Sequence, residues 1–320
     1  MSEPVAGSPL DAVRASEMLV PGRPAVVLFS GGRDSTCLLD VAVELLGPDQ
    51  ITALHVNYGL REAAAGDERH CRAVCDELGV TLEALRPAPP PPSGNIQAWA
   101  RELRYGAGRR LAAEQAAVLA SAHTADDQVE TILYRLAASP GRRALLGMRA
   151  RDGVLVRPLL SVRRAETGAW CTARGLAWRD DESNADERFA RARVRHGLLP
   201  ALEEIHPAAA ENVLRTSQLL REEAQLIEVL VQRESAGGAI TIARLRELPR
   251  PLARLVVIEL AEQTGKRFIP QAAERLEEIL ELAERGGNAE LHVGGSVAAL
   301  IADGTLSFAV LPPRPQPRQG

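Results

Sequence analysis

The sequence predicts an α/β protein in which a doubly wound, mainly parallel sheet is followed by a smaller domain of helices and hairpin strands. Apolar runs of strand length alternate with helical patterns up to about residue 205, and polar motifs follow several of these runs. Beyond residue 206 the pattern changes to long helices and then paired strands. We therefore expect a large domain at 1–205, a connecting helix at 206–235 and a small domain at 236–320.

The elements of the large domain follow in order. Strands are predicted at 25–29, 51–56, 80–85 and 117–122, and helices at 36–46, 63–78 and 95–116. Asn95 is the predicted N-cap of the last helix. In a parallel sheet of this kind, ligands bind beyond the carboxyl ends of the strands. We therefore expect the polar motifs after the strands to form the functional site.

The small domain is predicted from a different pattern. Helices are expected at 208–233, 251–264 and 270–285, and strands at 289–293, 297–301 and 305–311.

Composition indicates a soluble globular protein. The chain is 46% hydrophobic and 25% charged, and it contains no run of about eighteen apolar residues that would span a membrane. The first residues lack a basic region before an apolar core, so we expect a cytoplasmic protein with no membrane partner. Four cysteines are scattered, and the spacing of Cys71 and Cys75 is not that of a metal knuckle, so we expect reduced structural thiols.

Positive charge is concentrated in one segment. The whole chain has a net charge of −4, but residues 142–195 contain thirteen arginines against seven acidic residues. Lys266 is the single lysine, so this chain uses arginine as its basic residue throughout. That preference explains why the basic residues of this segment are arginines, but it does not explain why they cluster. Such asymmetry is typical of a nucleic-acid-binding surface.

The turn after the first strand has the composition of a phosphate-binding loop. It comprises Ser30, Gly31, Gly32, Arg33, Asp34 and Ser35, and a helical pattern follows at once. Backbone N–H groups at a helix N-terminus attract anions, glycine lets a phosphate approach, and Asp34 can hold a divalent cation. Gly-x-x-x-x-Gly-Lys and Gly-x-Gly-x-x-Gly motifs are absent. The loop resembles that of the N-type ATP pyrophosphatases, or PP-loop enzymes, which implies that these six residues bind ATP.

A second polar group follows the fourth strand. His123, Asp127 and Glu130 are spaced at i, i+4 and i+7, so they share one face of a predicted helix, opposite its apolar face. Capping of the helix N-terminus would explain the presence of one aspartate here, but not that of the histidine and glutamate aligned with it. We expect this face to point toward the strand ends and the phosphate loop.

Taken together, the motifs resemble the tRNA(Ile)-lysidine synthetases, a PP-loop family, over residues 25–205. The matching segments occur in the order typical of that family: His55-Val56-Asn57-Tyr58-Gly59-Leu60-Arg61, Gly94 to Tyr105, His123 to Thr131, Arg157-Pro158-Leu159-Leu160, Asp181-Glu182-Ser183-Asn184 and Arg191 to Pro200. Beyond residue 205 the resemblance is to the short form of the family, in size and helical character. Tyr58 replaces a second histidine of the family, and Ala192 replaces an asparagine often found in the arginine motif.

The resemblance implies a PP-loop ATPase fold of the adenine-nucleotide α-hydrolase type, with ATP as co-substrate and Mg²⁺ bound at Asp34. It implies two further substrates, tRNA(Ile) with a CAU anticodon and free L-lysine. ATP would adenylate the C2 oxygen of the wobble cytidine, and the ε-amine of lysine would then displace AMP.

The resemblance also suggests roles for individual side chains. Arg104 or Arg101 would stabilise the leaving pyrophosphate. Asp127 and Glu130 would bind the lysine ammonium, and His123 would be a general base with a pKa near neutrality. The expected tRNA contacts are Arg157, Arg188, Arg191 and Arg195.

Other functions remain open at this point. A tRNA 2-thiocytidine synthetase shares the loop and a cytidine target, but it requires a cysteine pair, and no Cys-x-x-Cys occurs here. A glutamine-dependent synthetase would carry an amidotransferase domain. A catalytically silent tRNA-binding module would have no need of the loop, His123 and Asp127. For the assembly, a homodimer is a further hypothesis.

Overall fold

A computed structural model describes residues 7–59, 64–88, 95–139, 142–179 and 190–311. Arg188 and the 181–184 motif lie outside the described residues, as do residues 60, 61 and 94 of the other matching segments. The chain divides into two compact units, Met1–Gln218 and Leu219–Gly320. This boundary falls inside a long helix, Ala209–Ser235, in the region that the sequence predicts as the connection.

The first unit contains a six-stranded sheet. Its strands are β1 (Ala25–Leu28), β2 (Ile51–Val56), β3 (Thr81–Leu85), β4 (Val118–Ala120), β5 (Arg151–Asp152) and β6 (Leu155–Val156). They lie in the order β3-β2-β1-β4-β6-β5, and only the β5–β6 pair is antiparallel. The predicted mainly parallel sheet is therefore confirmed. β5 and β6 were not predicted, because two residues are too few to show a period.

Helices cover both faces of this sheet. They are α1 (Pro9–Ala15), α2 (Arg33–Leu46), α3 (Ala64–Leu78), α4 (Ile96–Glu114), α5 (Ala125–Ala138), α6 (Arg142–Leu145), α7 (Arg164–Ala173), α8 (Ala190–Arg193), α9 (Leu199–Ile205) and the beginning of α10 (Ala209–Ser235), with short turns of 3-10 helix at Pro48–Gln50 and of π-helix at Val194–Leu198. Alternate residues of β1 enter two apolar clusters, Val27 with the side chains of α2 and Val26 with those of α4. The alternation places one cluster on each face of the sheet.

The strand order creates a crevice. The chain adds β2 and β3 on one side of β1 and then returns to place β4 on its other side. Such a switch point opens at the carboxyl ends of the two strands, where their following loops separate. The loop at residues 30–32 follows β1, and His123 follows β4, so the fold brings both predicted motifs to this edge.

The second unit has its own core. A four-stranded antiparallel sheet, in the order β7-β10-β9-β8, is covered by helices. Its elements are β7 (Ala239–Thr241), α11 (Ile242–Glu247), α12 (Arg250–Gly265), a 3-10 turn at Pro270–Arg275, α13 (Leu276–Arg285), β8 (Ala289–Gly294), β9 (Val297–Ala302) and β10 (Thr305–Val310). The predicted helices and hairpin strands are present, although the predicted helix at 270–285 begins as a 3-10 turn, and β7 and α11 are additions. Within the described ranges, none of the helices has the length and apolar character needed to cross a membrane.

Candidate active site

The loop after β1 forms a compact turn at the N-terminus of α2. Gly32 is the N-cap residue and, having no side chain, makes no capping hydrogen bond to the first turn. The hydroxyl of Ser35 donates to the carbonyl of Gly32 at 2.8 Å and lies 3.1 Å from the hydroxyl of Ser30. The first N–H groups of α2 are therefore left to a ligand or to water, at the positive end of the helix dipole.

Gly31 is required by this geometry. Its φ of +79° lies in the left-handed region. A Cβ at this position would lie 2.9 Å from Sγ of Cys71 and 3.1 Å from the ring of His70. The loop therefore packs directly on α3, and any side chain at residue 31 would push it away.

Asp34 lies in the first turn of α2, beside the loop. Its carboxylate accepts a hydrogen bond from the hydroxyl of Thr167 at 2.5 Å. Nε of Arg33 lies 3.4 Å away, and Nε of Arg164 lies 3.5 Å from the other carboxylate oxygen. Asp34 is thus held between α2 and the start of α7.

His123 lies just before α5 and not within it. The N-cap of α5 is Thr124, so the expected helical alignment of His123 with Asp127 and Glu130 is wrong. A hydrogen bond of 2.9 Å joins Nδ1 of His123 and the hydroxyl of Ser121. The histidine still follows the end of β4, because Ser121 and Ala122 carry the chain straight into the capping turn.

The pKa of His123 also differs from the expected near-neutral value. Burial lowers this pKa to about 4, against the opposing effect of Asp127, and Arg157, Arg101 and Arg104 lower it further. The ring is therefore neutral at pH 7. A neutral ring can accept a proton at one nitrogen, although as a weaker base than an unperturbed histidine.

Asp127 has three partners, of which Arg195 is the most distant, with its Nη2 atom 3.9 Å from Oδ1. One carboxylate oxygen accepts a hydrogen bond from the backbone N–H of Thr124 at 2.9 Å, which completes a capping box at the start of α5. The other oxygen lies 2.8 Å from Nη2 of Arg164. Asp127 thus caps its own helix and pairs with α7.

Glu130 is buried and paired with two arginines. Arg195 donates to both of its oxygens, at 2.6 and 3.0 Å, and Nη1 of Arg164 lies 3.4 Å away. Such a bidentate contact is the strong form of this ion pair. The two carboxylates predicted to bind an ammonium group therefore face guanidinium groups, and Arg195, a predicted phosphate contact, faces a carboxylate.

Arg164 connects the two halves of the site. This first residue of α7 bridges Asp34 at 3.5 Å, Asp127 at 2.8 Å and Glu130 at 3.4 Å. Burial alone would lower the pKa of Arg164, but the carboxylates outweigh it and raise the pKa above its ordinary value. In the sequence Arg164 is one of thirteen clustered arginines, and nothing distinguishes it there because its partners lie far away in the chain.

Of the other predicted arginines, Arg104 and Arg157 lie near enough to His123 to lower its pKa. Arg104 lies on α4, with its guanidinium carbon 5.4 Å from the centre of the Tyr105 ring. Arg157, after β6, is buried, and it donates to the carbonyl of Arg149 at 2.5 Å. Arg191 is exposed on α8.

The two departures from the family pattern are accommodated locally. The hydroxyl of Tyr58 donates to the carbonyl of Ala100 at 2.9 Å, and its ring packs on Trp99 at 5.7 Å. Ala192 is buried on α8. Among the described residues, no three histidine, cysteine, aspartate or glutamate side chains cluster as a metal site would.

Comparison with known proteins identifies the fold and its relatives. A family model of the PP-loop domain matches residues 11–202. The U34-tRNA thiolase from Methanococcus maripaludis has a similar structure, with a TM-score of 0.57 and 18% identity, covering 67% of this chain and 78% of that one. Identity this low shows likeness of fold alone.

Curated relatives named tRNA(Ile)-lysidine synthase are considerably closer in sequence. The one from Pseudomonas fluorescens is 42% identical over 64% of this chain and 48% of its own length. The one from Thermus thermophilus is 36% identical over 93% of this chain and 59% of its own length. The one from Mycolicibacterium paratuberculosis is 38% identical over 72% of this chain and 72% of its own length. The chain spans about half the length of the first two relatives, 48% and 59%.

Proposed function

Because the chain belongs to the tRNA(Ile)-lysidine synthase family of PP-loop proteins, we propose that it joins free lysine to C2 of the wobble cytidine in tRNA(Ile) with a CAU anticodon. ATP activates the cytidine by adenylation, and the ε-amine of lysine then displaces AMP. The observation that carries this proposal is the junction made by Arg164, which joins Asp34 of the phosphate loop to Asp127 and Glu130.

The loop of β1 and α2 supplies the nucleotide site. Uncapped N–H groups at the start of α2 fit the pyrophosphate of ATP, as does the hydroxyl of Ser30. Asp34 fits the common pattern in which Mg²⁺ is held by one carboxylate together with substrate phosphates. Mg²⁺ bound there would neutralise charge on the leaving pyrophosphate.

Asp127 and Glu130 form the proposed lysine site. Arg164 and Arg195 balance their charges, so an ε-ammonium gains a full ion pair only if one guanidinium withdraws. Arg164 has an alternative partner in Asp34, next to the proposed phosphates. We infer that bound ATP attracts Arg164 and so opens the carboxylates to lysine.

His123 is the proposed acceptor of the ammonium proton. Its ring is neutral at pH 7, since its pKa is about 4, and Asp127 lies near enough to favour the protonated form. Proton transfer would leave the amine free to attack the adenylated carbon. The hydrogen bond between the hydroxyl of Ser121 and Nδ1 orients the ring.

The nucleotide products test this proposal. We expect the protein to convert ATP to AMP and pyrophosphate only when tRNA(Ile) is present. Asp34→Asn keeps the size of the side chain but removes its charge, and should lower the rate at least tenfold without unfolding the protein. Asp49→Asn, in an exposed turn, is the matched control. Production of ADP, or undiminished AMP formation by Asp34→Asn, would contradict the proposal.

A further inference from the structure

Three arginines surround Tyr105 on α4. The guanidinium carbons of Arg101, Arg104 and Arg109 lie 4.7, 5.4 and 5.9 Å from the centre of its ring. Within the part of the chain that the structure describes, none of the three forms an ion pair, whereas Arg110 on the same helix pairs with Glu114. An aromatic ring stabilises a cation but leaves its charge in place.

Three buried donors in this cluster have no hydrogen-bond acceptor among the described residues. They are the hydroxyl of Tyr105 and the Nε atoms of Arg104 and Arg157. Tyr105 is 5% exposed and Arg157 is 6% exposed. Buried donors are almost always satisfied in folded proteins, so several unsatisfied donors side by side indicate a site for an acceptor from outside the chain.

Arg157 belongs to the same cluster. Burial lowers its pKa, Tyr105 and Asp152 oppose this effect, and Arg101 and Arg109 lower the pKa further. Arg157, Arg101 and Arg104 also act on the pKa of His123, so the cluster lies beside the reacting end of the site. Like charges held together in this way create a positive potential that attracts an anion.

We propose that Arg104, Arg157 and the hydroxyl of Tyr105 bind one phosphodiester of an RNA strand, at a site separate from the loop at 30–35. This inference rests on the proposed function, which brings an anticodon loop to His123. It assigns Arg104 to the RNA and not to the leaving pyrophosphate.

The extent of the basic surface favours RNA over a nucleotide. Burial lowers the pKa of Arg135, and Arg191 and Arg101 lower it further, so these guanidiniums continue from the cluster toward α8. Arg191 is exposed there. A nucleotide carries its phosphates in one group, whereas an RNA strand presents them at intervals and can follow such a row.

Binding of RNA without ATP or lysine tests the inference. Fluorescence anisotropy would measure the affinity of the full chain for an anticodon stem-loop with a CAU loop, over a series of salt concentrations. For Arg104→Gln we expect a dissociation constant about tenfold higher and a salt slope smaller by about 0.7, the value for one phosphate of a single strand. Tyr105→Phe keeps the ring and should weaken binding less. Arg110→Gln, on the same helix, should match the wild type.

A methylphosphonate scan of the stem-loop locates the phosphate. One neutral linkage should weaken binding to the wild type and have little further effect on Arg104→Gln. Unchanged RNA affinity in both Arg104→Gln and Tyr105→Phe would overturn the inference. A calorimetric loss of ATP affinity with RNA affinity unchanged would also overturn it and assign the arginines to the nucleotide. Because neither assay requires turnover, a protein that binds RNA here but forms no lysidine would refute the proposed function alone.

Discussion

At the scale of single residues, the site depends on how buried charges are paired. Glu130 has a side chain only 3% exposed, and a carboxylate at that depth requires a cationic partner to remain ionised. Arg195 and Arg164 supply that partner. The spacing of Asp127 and Glu130 placed these two carboxylates on one face of α5. It could not indicate which arginines neutralise them, because that choice depends on packing between α5, α7 and the π-helical turn at Val194–Leu198.

The pH dependence of stability should report the burial of His123. Its pKa of about 4 lies below the value of about 6.5 for an exposed histidine, so the unfolded chain binds more protons between these values. Stability contributed by neutral His123 is therefore present above about pH 6.5 and is lost as the pH falls toward 4. Urea unfolding gives the free energy of unfolding of the wild type and of His123→Asn. The difference between these two free energies should change by on the order of 2 kcal/mol between pH 7 and pH 4, after allowance for partial exposure. A difference in the free energy of unfolding that does not depend on pH would contradict the burial of His123.

Arg164 should make lysine binding depend on the nucleotide. In the wild type, a non-hydrolysable ATP analogue should lower the dissociation constant for lysine, because phosphates attract Arg164 away from Asp127 and Glu130. In Arg164→Gln the carboxylates lose this competitor, so lysine should bind with similar affinity with and without the analogue. Calorimetry measures both. Arg174→Gln is the control. Arg174 follows α7 as its C-cap residue and pairs with Asp40 and Glu44 of α2, not with the carboxylates of the site. Equal nucleotide dependence in wild type and Arg164→Gln would contradict the role of Arg164.

At the scale of elements, turns decide where the functional groups lie. The N-termini of α2, α5 and α7 meet because Thr167 contacts Asp34 and the backbone N–H of Arg164 donates to Asp126 at 2.6 Å. The four runs of strand length predicted β1 to β4. β1, β2 and β4 are buried, whereas the residues of β3 are half-buried or exposed. β5 is polar and exposed, and β6 has only two residues, so their pairing is a consequence of the sheet already formed.

The two glycines of the loop should respond differently to a methyl group. Gly31→Ala places a Cβ 2.9 Å from Sγ of Cys71 at a φ of +79°, and should destabilise the protein by about 1–3 kcal/mol. Gly32 has a φ of −80°, and the nearest atoms to a new Cβ lie at 3.4 and 3.7 Å. Gly32→Ala should therefore keep nearly wild-type stability in urea unfolding. Equal destabilisation by the two changes would contradict the loop geometry.

At the scale of the whole molecule, charge is distributed unevenly. The net charge is −4, yet arginines collect between residues 142 and 195. The sequence predicted this basic segment, but the structure divides it into two classes. Some arginines, such as Arg164 and Arg195, are neutralised by carboxylates of the site, and others, such as Arg191, are not paired with a carboxylate among the described residues. Only a fold can make that division, because it depends on partners distant in the chain.

The salt dependence of tRNA binding should separate these two classes. Arg191→Gln should reduce the slope of log K against log salt by about 0.7–0.9, the value for one phosphate contact. Arg195→Gln should change the slope less, because its charge is engaged by Glu130, and should lower stability by roughly 1–3 kcal/mol. Filter binding and urea unfolding measure the two effects. A slope change for Arg195→Gln as large as that for Arg191→Gln would show that Arg195 contacts phosphate directly.

The modified nucleoside itself tests the proposed activity most directly. The protein would be incubated with ATP, isotopically labelled lysine and an unmodified tRNA(Ile) transcript with a CAU anticodon, and the digested tRNA analysed by mass spectrometry. We expect a lysine–cytidine adduct at the wobble position, absent without ATP and absent from a transcript with a GAU anticodon. ATP consumption with no labelled lysine in the tRNA, or a different modification of the cytidine, would contradict the proposed function.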